Sequence, residues 1–163
     1  MTRIGILSDT HLDDLRKGLT LLDDLYRNQF RDVSLILHAG DVVNPDIFMA
    51  FEGIPVYAVR GNMDPYVEGI PLRRIVTVDG YRIGLIHGWG PPEGLESRIL
   101  REFGRQRLDA LVYGHSHQPA NHVMDGLLLF NPGSATEKRR AEYCSIGILE
   151  VSDAISGQII NLD

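Results

Sequence analysis

The sequence predicts an α/β protein in which two β-sheets pack together and helices flank them. Three observations carry this reading: apolar runs alternating with an amphipathic segment near the N-terminus, two strand-like runs around a central Asp-Gly turn, and further strand-like runs towards the C-terminus. The chain has 163 residues, 44% hydrophobic and 23% charged, with no low-complexity tract. Such a composition belongs to a folded protein, and the length fits one domain, residues 1 to 163, with a substantial core.

Arg3-Ile-Gly-Ile-Leu-Ser8 reads as a buried strand. After a polar turn, Leu12, Leu15, Leu19, Leu22 and Tyr26 recur at helical spacing and predict an amphipathic helix. Val33 to His38 and Pro55 to Val59 are two more apolar runs, separated by a short helical piece near Pro45 to Phe51. The order β-α-β-α-β implies a parallel sheet covered by helices. Arg73 to Val78 and Tyr81 to Ile86 flank Asp79-Gly80, the strongest short-range hairpin signal, so an antiparallel piece is expected there. A helix is expected from Gly94 to about Arg105, with Leu95, Ile99, Leu100 and Phe103 inward, before a strand from Leu108 to Tyr113. A turn at Met124-Asp-Gly126 and the runs Tyr143 to Val151 and Ile155 to Leu162 supply the remaining strands.

Charge and composition exclude several classes. The formal net charge is −6, and only Arg73-Arg74 and Lys138-Arg139-Arg140 form short basic clusters. A non-specific duplex binder presents a basic face to many phosphates, so bulk nucleic-acid binding is disfavoured, whereas small phosphorylated ligands stay open. The apolar runs are far too short to span a bilayer, and no apolar segment with a cleavage-type end begins the chain. A cytoplasmic protein is expected. Cys144, the sole cysteine, lies in a strand-like segment and is read as a buried thiol, with no internal disulfide to form.

The residues at the strand ends carry the chemistry. The runs end in Ser8-Asp9-Thr10-His11, His38-Ala-Gly-Asp41, Arg60-Gly-Asn62-Met-Asp64, Ile86-His87-Gly88 and Gly114-His115-Ser-His117. In open α/β sheets the ligand crevice lies outside the carboxyl ends of the strands, so these ends can converge. Three aspartates, an asparagine and four histidines offer oxygen and imidazole ligands without thiolate, which suits a hydrolytic Mn²⁺, Fe, Ni²⁺ or Zn²⁺ centre. Eight candidates are too many for one ion; two ions roughly 3.5–4 Å apart would use them and clamp an in-line displacement at phosphorus. Gly40, Gly61, Gly88 and Gly114 fit ligand-bearing turns that need sharp backbone and close approach. His115 and His117 are two residues apart, and in extended chain such residues share a face.

In their order and spacing these blocks, together with Asn131-Pro-Gly-Ser134, resemble the calcineurin-like metallophosphoesterase superfamily and, within it, the small YfcE-type phosphodiesterases, over residues 3 to about 150. The resemblance implies a four-layer α/β/β/α sandwich of two mixed β-sheets flanked by helices, with a two-metal site. By carry-over, one ion takes Asp9, His11 and His117, the other Asn62, His87 and His115, and Asp41 bridges. The implied activity is divalent-metal-dependent hydrolysis of phosphodiester bonds, with a metal-bridging hydroxide as nucleophile and Asp41, Asn62, His87 and His115 in catalytic roles. Two divalent ions per chain are implied, Mn²⁺ first and Ni²⁺, Fe or Zn²⁺ as alternatives. The implied partners are a small phosphodiester substrate and, as in many relatives, further copies of the chain in a dimer or tetramer.

One position departs from the wider superfamily. Many members carry a histidine after the motif asparagine, thought to protonate the leaving group; here it is Met63, which cannot donate a proton. YfcE-type relatives also tend to lack that histidine. A general acid contributes roughly 10²–10⁴-fold, so diesters and activated esters are expected over alkyl monoesters. Asp64 reads equally as a residue orienting Asn62 or a water and as a turn carboxylate. His38 reads as a packed, hydrogen-bonded histidine, and His122 as a surface strand residue with a lesser case for lining the cleft. Trp89 either stacks on a nucleobase or closes over the core. Ser8, Ser116 and Ser134 read as turn and hydrogen-bonding residues, since none sits in a nucleophile elbow. The rival reading is a scaffold on the same fold, as in the retromer subunit that has lost ligands; a nuclease would be expected to show a capping domain or basic groove.

Overall fold

The computed structural model describes residues 1–163. In chain order it forms β1 (Thr2–Leu7), α1 (Leu15–Asn28), β2 (Leu35–His38), a 3₁₀ helix (Pro45–Phe51), β3 (Val56–Ala58), β4 (Arg73–Val78) and β5 (Tyr81–Ile86). Then come α2 (Leu95–Arg101), β6 (Ala110–Val112), β7 (Ala120–Met124), β8 (Leu127–Asn131), β9 (Ser145–Val151) and β10 (Ile155–Asn161). One five-stranded sheet has the order β10-β9-β1-β2-β3, the other β4-β5-β6-β8-β7. Both are mixed: β1-β2-β3 and β5-β6-β8 run parallel, and β9, β10, β4 and β7 join antiparallel.

Alternation along the strands sorts the core into three layers. Ile4, Ile6 and Leu149 from one sheet meet Ile83, Val112 and Phe130 from the other between the sheets. Ile36, Ile146 and Ile148 face the opposite way, under Leu22, Leu25 and Ile47 of α1 and the 3₁₀ helix. Leu111 and Leu129 pack under Leu95 and Ile99 of α2. The result is the four-layer α/β/β/α sandwich. The Phe130 ring packs directly on the backbone of the facing sheet, because a Cβ at Gly147 would lie 2.3 Å from it and one at Gly157 2.5 Å.

Several element boundaries differ from the sequence reading. α1 starts at Leu15, not Leu12, because the Asp14 carboxylate caps the helix at the Lys17 amide, 3.0 Å away. Its buried face is therefore Gly18, Leu22 and Leu25, while Leu15 is exposed and Leu12 instead forms a bridge with Val43. The second helix is regular only to Arg101 and then unwinds through turns to Gly104, whose φ of 56° ends it; Phe103 is still buried there. Cys144 is half-buried and precedes β9, its amide held by Asp163. No helix is long and apolar enough to cross a membrane.

Candidate metal centre

The loops after β1, β2, β3, β5 and β6 meet at one edge of the two sheets. Five candidate ligands there adopt left-handed backbone: Asp9 (φ 53°), His11 (46°), Asp41 (56°), His115 (70°) and His117 (60°). His115 and His117 are thus not the extended pair that simple alternation expects. Such conformations cost roughly 1–3 kcal/mol each and persist only where the surroundings over-determine them. The surroundings are a lattice of buried hydrogen bonds. The Asp9 amide donates to Gly40 O (2.9 Å) and the His11 amide to Asp41 O (3.0 Å), joining the first two loops. Ser134 Oγ donates to Asp9 O (2.7 Å), Thr136 Oγ1 to Thr10 O (2.8 Å), and Asn131 Nδ2 to Gly114 O (3.1 Å). Two glycines are obligatory: a Cβ at Gly61 would lie 2.1 Å from Asp41 Oδ1, and one at Gly114 1.9 Å from Ser8 Oγ.

The same lattice leaves particular atoms free. Asp9 Oδ2 accepts from Ser8 Oγ (2.7 Å) and the His115 amide (2.9 Å), whereas its Oδ1 is buried with no partner. Asp41 Oδ1 accepts from the Met63 amide (2.8 Å), and its Oδ2 lies 3.5 Å from His11 Nε2 and 3.3 Å from His87 Nε2. His117 Nε2 is 3.4 Å and His11 Nε2 3.9 Å from Asp9 Oδ1. Of five buried side-chain polar atoms lacking a hydrogen-bond partner, three are Asp9 Oδ1, His11 Nε2 and His117 Nε2. A buried polar atom without a partner is costly, and one cation among them would satisfy all three.

Backbone carbonyls select the imidazole tautomers. A carbonyl can only accept, so His87 Nδ1 donates to Ala39 O (2.7 Å), His117 Nδ1 to Glu137 O (2.6 Å) and His115 Nε2 to Gly90 O (2.8 Å). Metal-ligating histidines are oriented by such bonds from the other ring nitrogen. His87 Nε2 then faces Asn62 Oδ1 at 3.0 Å, which calls for positive charge between them. Burial opposes a charged His87, but the Asp41 hydrogen bond, the charges of Asp9 and Asp41 and the Ala39 carbonyl together raise its pKa. Burial also works to raise the Asp41 pKa, yet His87 and the Met63 amide hold it below the usual carboxylate value. At His117 burial prevails, aided by Arg139 and His11, and favours the neutral ring that a metal needs.

The seven residues carried over as metal ligands are all present at this edge. Asp9, His11 and His117 form one compact cluster, and Asp9, Asp41 and His87 another. Asn62 joins through His87, and the His115 ring centroid is 5.3 Å from that of His87. Asp41 touches histidines of both sets, while Asp9 Oδ1 is also 3.8 Å from His87 Nε2.

Other polar residues find definite places. Asp64 is a tie: it accepts from the Asp41, Gly61 and Val43 amides at 2.8, 2.8 and 2.7 Å. His38 is fully buried, accepting from the Gly40 amide at Nδ1 and donating to Thr10 Oγ1 at Nε2, and burial lowers its pKa to about 3. His122 is exposed on β7 and pairs with Glu96 at 2.7 Å. Trp89 lies 44% exposed along a cleft that also contains Asn62 and His87. Arg98 escaped the sequence reading: its guanidinium donates to Trp89 O, Pro91 O and Glu93 O, so it holds the loop whose Gly90 carbonyl orients His115. Its only trace in the sequence is a cation on the helix that comes after a Gly- and Pro-rich loop.

Comparison with known proteins points to one family. The sequence profile of the calcineurin-like phosphoesterase superfamily domain matches residues 2–154. A probable metallophosphoesterase of Methanothermobacter thermautotrophicus is 41% identical over 161 residues, covering 96% of this chain and 91% of that one. A phosphodiesterase of Methanocaldococcus jannaschii is 26% identical, over 80% of this chain and 82% of its own. Among solved structures, a conserved protein of Streptococcus pneumoniae described as a predicted phosphoesterase superposes with a TM-score of 0.78 at 22% identity. That match covers 98% of this chain and 89% of the other.

Proposed function

From the premise that the chain belongs to the calcineurin-like phosphoesterase superfamily, we propose that it is a divalent-metal-dependent phosphodiesterase with a two-ion centre. Asp9, His11 and His117 hold one ion, Asn62, His87 and His115 the other, and Asp41 serves both. The observation that carries this reading is the convergence of Asp9 Oδ1, His11 Nε2 and His117 Nε2, buried and unpartnered within an otherwise saturated lattice. When bound, the ions supply an ionised water as nucleophile near neutral pH and draw charge from the phosphoryl oxygens. The nitrogen and oxygen donors suit Mn²⁺ and also accept Ni²⁺, Fe and Zn²⁺. We place the protein in the cytoplasm, where one half-buried cysteine and no disulfide are at home.

Preference for diesters arises from what the centre lacks. Met63 is 58% exposed where a proton donor would stand. The Asp64 carboxylate is saturated by three amides, His115 Nε2 is held by Gly90 O, and His122 by Glu96. The side chains around the centre thus offer no free acid, and a leaving group must depart with little help. The name of the Methanocaldococcus relative points the same way. A scaffold that had lost its ligands would have nothing to maintain unpartnered polar atoms and five left-handed residues at one spot, so the retained lattice supports a metal-binding protein, and hydrolysis is what separates enzyme from scaffold.

The test is hydrolysis of bis(p-nitrophenyl) phosphate beside p-nitrophenyl phosphate by chelator-stripped protein with Mn²⁺ restored, for wild type and His115→Ala. Diester hydrolysis should require the ion, exceed monoester hydrolysis, and fall by roughly 10²-fold or more in the variant. A protein that binds metal but hydrolyses neither ester with any divalent ion tried would favour the scaffold.

A further inference from the structure

Two hollows adjoin the outer half of the centre, and their walls differ in chemistry. The larger, about 440 Å³, is lined by Asn62 and His87 together with Arg60, Leu72, Ile86 and Trp89. Leu72 is 60% exposed and Trp89 44%, so this wall leaves flat apolar surface in water beside the reacting position, a receptor for an aromatic group. The smaller, about 260 Å³, is lined by His115, Ser116, Gln118, Arg139 and Arg140 and has no apolar side chain beyond Pro92. The His87 and His115 rings, 5.3 Å apart, connect the two hollows.

Three arginines lie on the walls of these hollows, Arg60 in the larger and Arg139 and Arg140 in the smaller. Arg73, at the rim of the larger hollow, is neutralised by Glu102 at 3.1 Å. Arg60, Arg139 and Arg140, like most cations of the chain, have no carboxylate within ion-pair distance; what sets them apart is their place beside the centre. Arg60 has only the Tyr66 ring, 5.8 Å from its guanidinium carbon. Guanidinium groups left unpaired beside a phosphate-handling centre are suited to bidentate phosphate contacts. Volumes of this size hold a ligand of one or two nucleotides, and the acidic balance argues against a long polyanion.

We propose, resting on the phosphodiesterase reading, that the substrate is a short nucleoside phosphodiester bearing a second, terminal phosphate. Its base lies against Trp89 and Leu72 with Arg60 towards the scissile phosphate, and Arg139 and Arg140 take the terminal phosphate. Hydrolysis adds water across the scissile P–O bond and releases two mononucleotide-sized products, so no other reactant is needed.

Trp89 is the sole tryptophan, which gives a readout independent of turnover. The experiment compares thymidine dinucleotide with and without a 5′-phosphate on the full chain loaded with Mn²⁺. Kinetics are followed beside fluorescence titration with the phosphorothioate-linked forms of both. The phosphorylated dinucleotide should be favoured at least tenfold in kcat/KM, its analogue should quench Trp89 at least tenfold more tightly, and both preferences should fall to parity in Arg139→Gln/Arg140→Gln. Trp89→Phe should keep part of the activity on both dinucleotides and Trp89→Ala much less. Equal treatment of the two dinucleotides, or preference for a long single strand over either, overturns the inference while hydrolysis of bis(p-nitrophenyl) phosphate keeps the diesterase reading. Should no diester be hydrolysed, the diesterase reading fails, and the fluorescence titration still decides whether the hollows prefer the terminal phosphate.

Discussion

The two halves of the centre are held differently. Asp9 and His117 of the inner half are buried, with His11 beside them, in loops stitched together by Ser134, Thr136 and the paired amides of the first two strand ends. In the outer half His87 is buried and held by Ala39 O, but Asn62 is exposed and His115 half-buried, and His115 depends on one carbonyl in a loop of glycines and prolines. The inner half is the more densely cross-linked of the two, and we assign it the rigidity that would let it bind the first proposed ion tightly by preorganisation. The outer half faces the two hollows, where substrate must enter and product leave. On the proposed reading, a centre that both retains metal and turns over substrate needs both kinds of construction.

The largest expected effect comes from the residue that joins the halves. Asp64 accepts amides from Asp41 and Val43 on one side and Gly61 on the other, so Asp64→Asn replaces an acceptor with a donor facing N–H groups. The substitution strands at least one amide, at about 1–3 kcal/mol. It should weaken binding of both ions roughly 10–100-fold, as loss of a supporting partner does. Calorimetric titration with Mn²⁺ checks this, and loss confined to one ion would show that the halves are independent.

A smaller and one-sided effect is expected at Arg98. Its three carbonyl partners lie in the loop that presents Gly90 O to His115 and Trp89 to the larger hollow. Arg98→Ala should weaken only the second, looser ion, by about tenfold, and raise KM more than it lowers kcat. Equal weakening of both ions would contradict the division into halves.

The candidate ligands were legible as a group because each belongs to a residue type that ends an apolar run, and the four-layer fold emerged from alternation and from a resemblance spread over most of the chain. How the ligands are held was not legible. The pairing of His115 and His117 was reasoned from extended geometry, whereas both are left-handed and address different partners. Left-handed Asp and His residues carry no marker like the Asp-Gly pairs of the two hairpins, since their conformation is imposed by hydrogen bonds from residues distant in sequence, 125 positions away in the case of Ser134 and Asp9. Asp64 and Arg98 act on backbone groups of other loops, and side chain to backbone contacts leave no spacing pattern. The start of α1 was misplaced for a local reason: Leu12 is apolar and in phase, but Asp14 caps.

The smallest effect at neutral pH lies beneath the inner half, where His38 braces the Asp9 and Asp41 loops through Thr10 and Gly40. Burial holds its pKa at about 3, against an ordinary 6.5. Between those values the unfolded chain binds a proton at this residue that the folded chain refuses, so stability falls as pH drops from about 6.5 towards 3 and is unaffected above that window. His38→Gln keeps an acceptor for the Gly40 amide and a donor for Thr10 without the titrating group. Its melting temperature in metal-free protein should lie somewhat below wild type at pH 7.5, and the gap should narrow or reverse by pH 4.5, because the variant has no buried imidazole at this position to take up a proton. Parallel melting curves across that range would mean that His38 takes up its proton without disturbing the inner half, and the rigidity assigned to that half would then need another source.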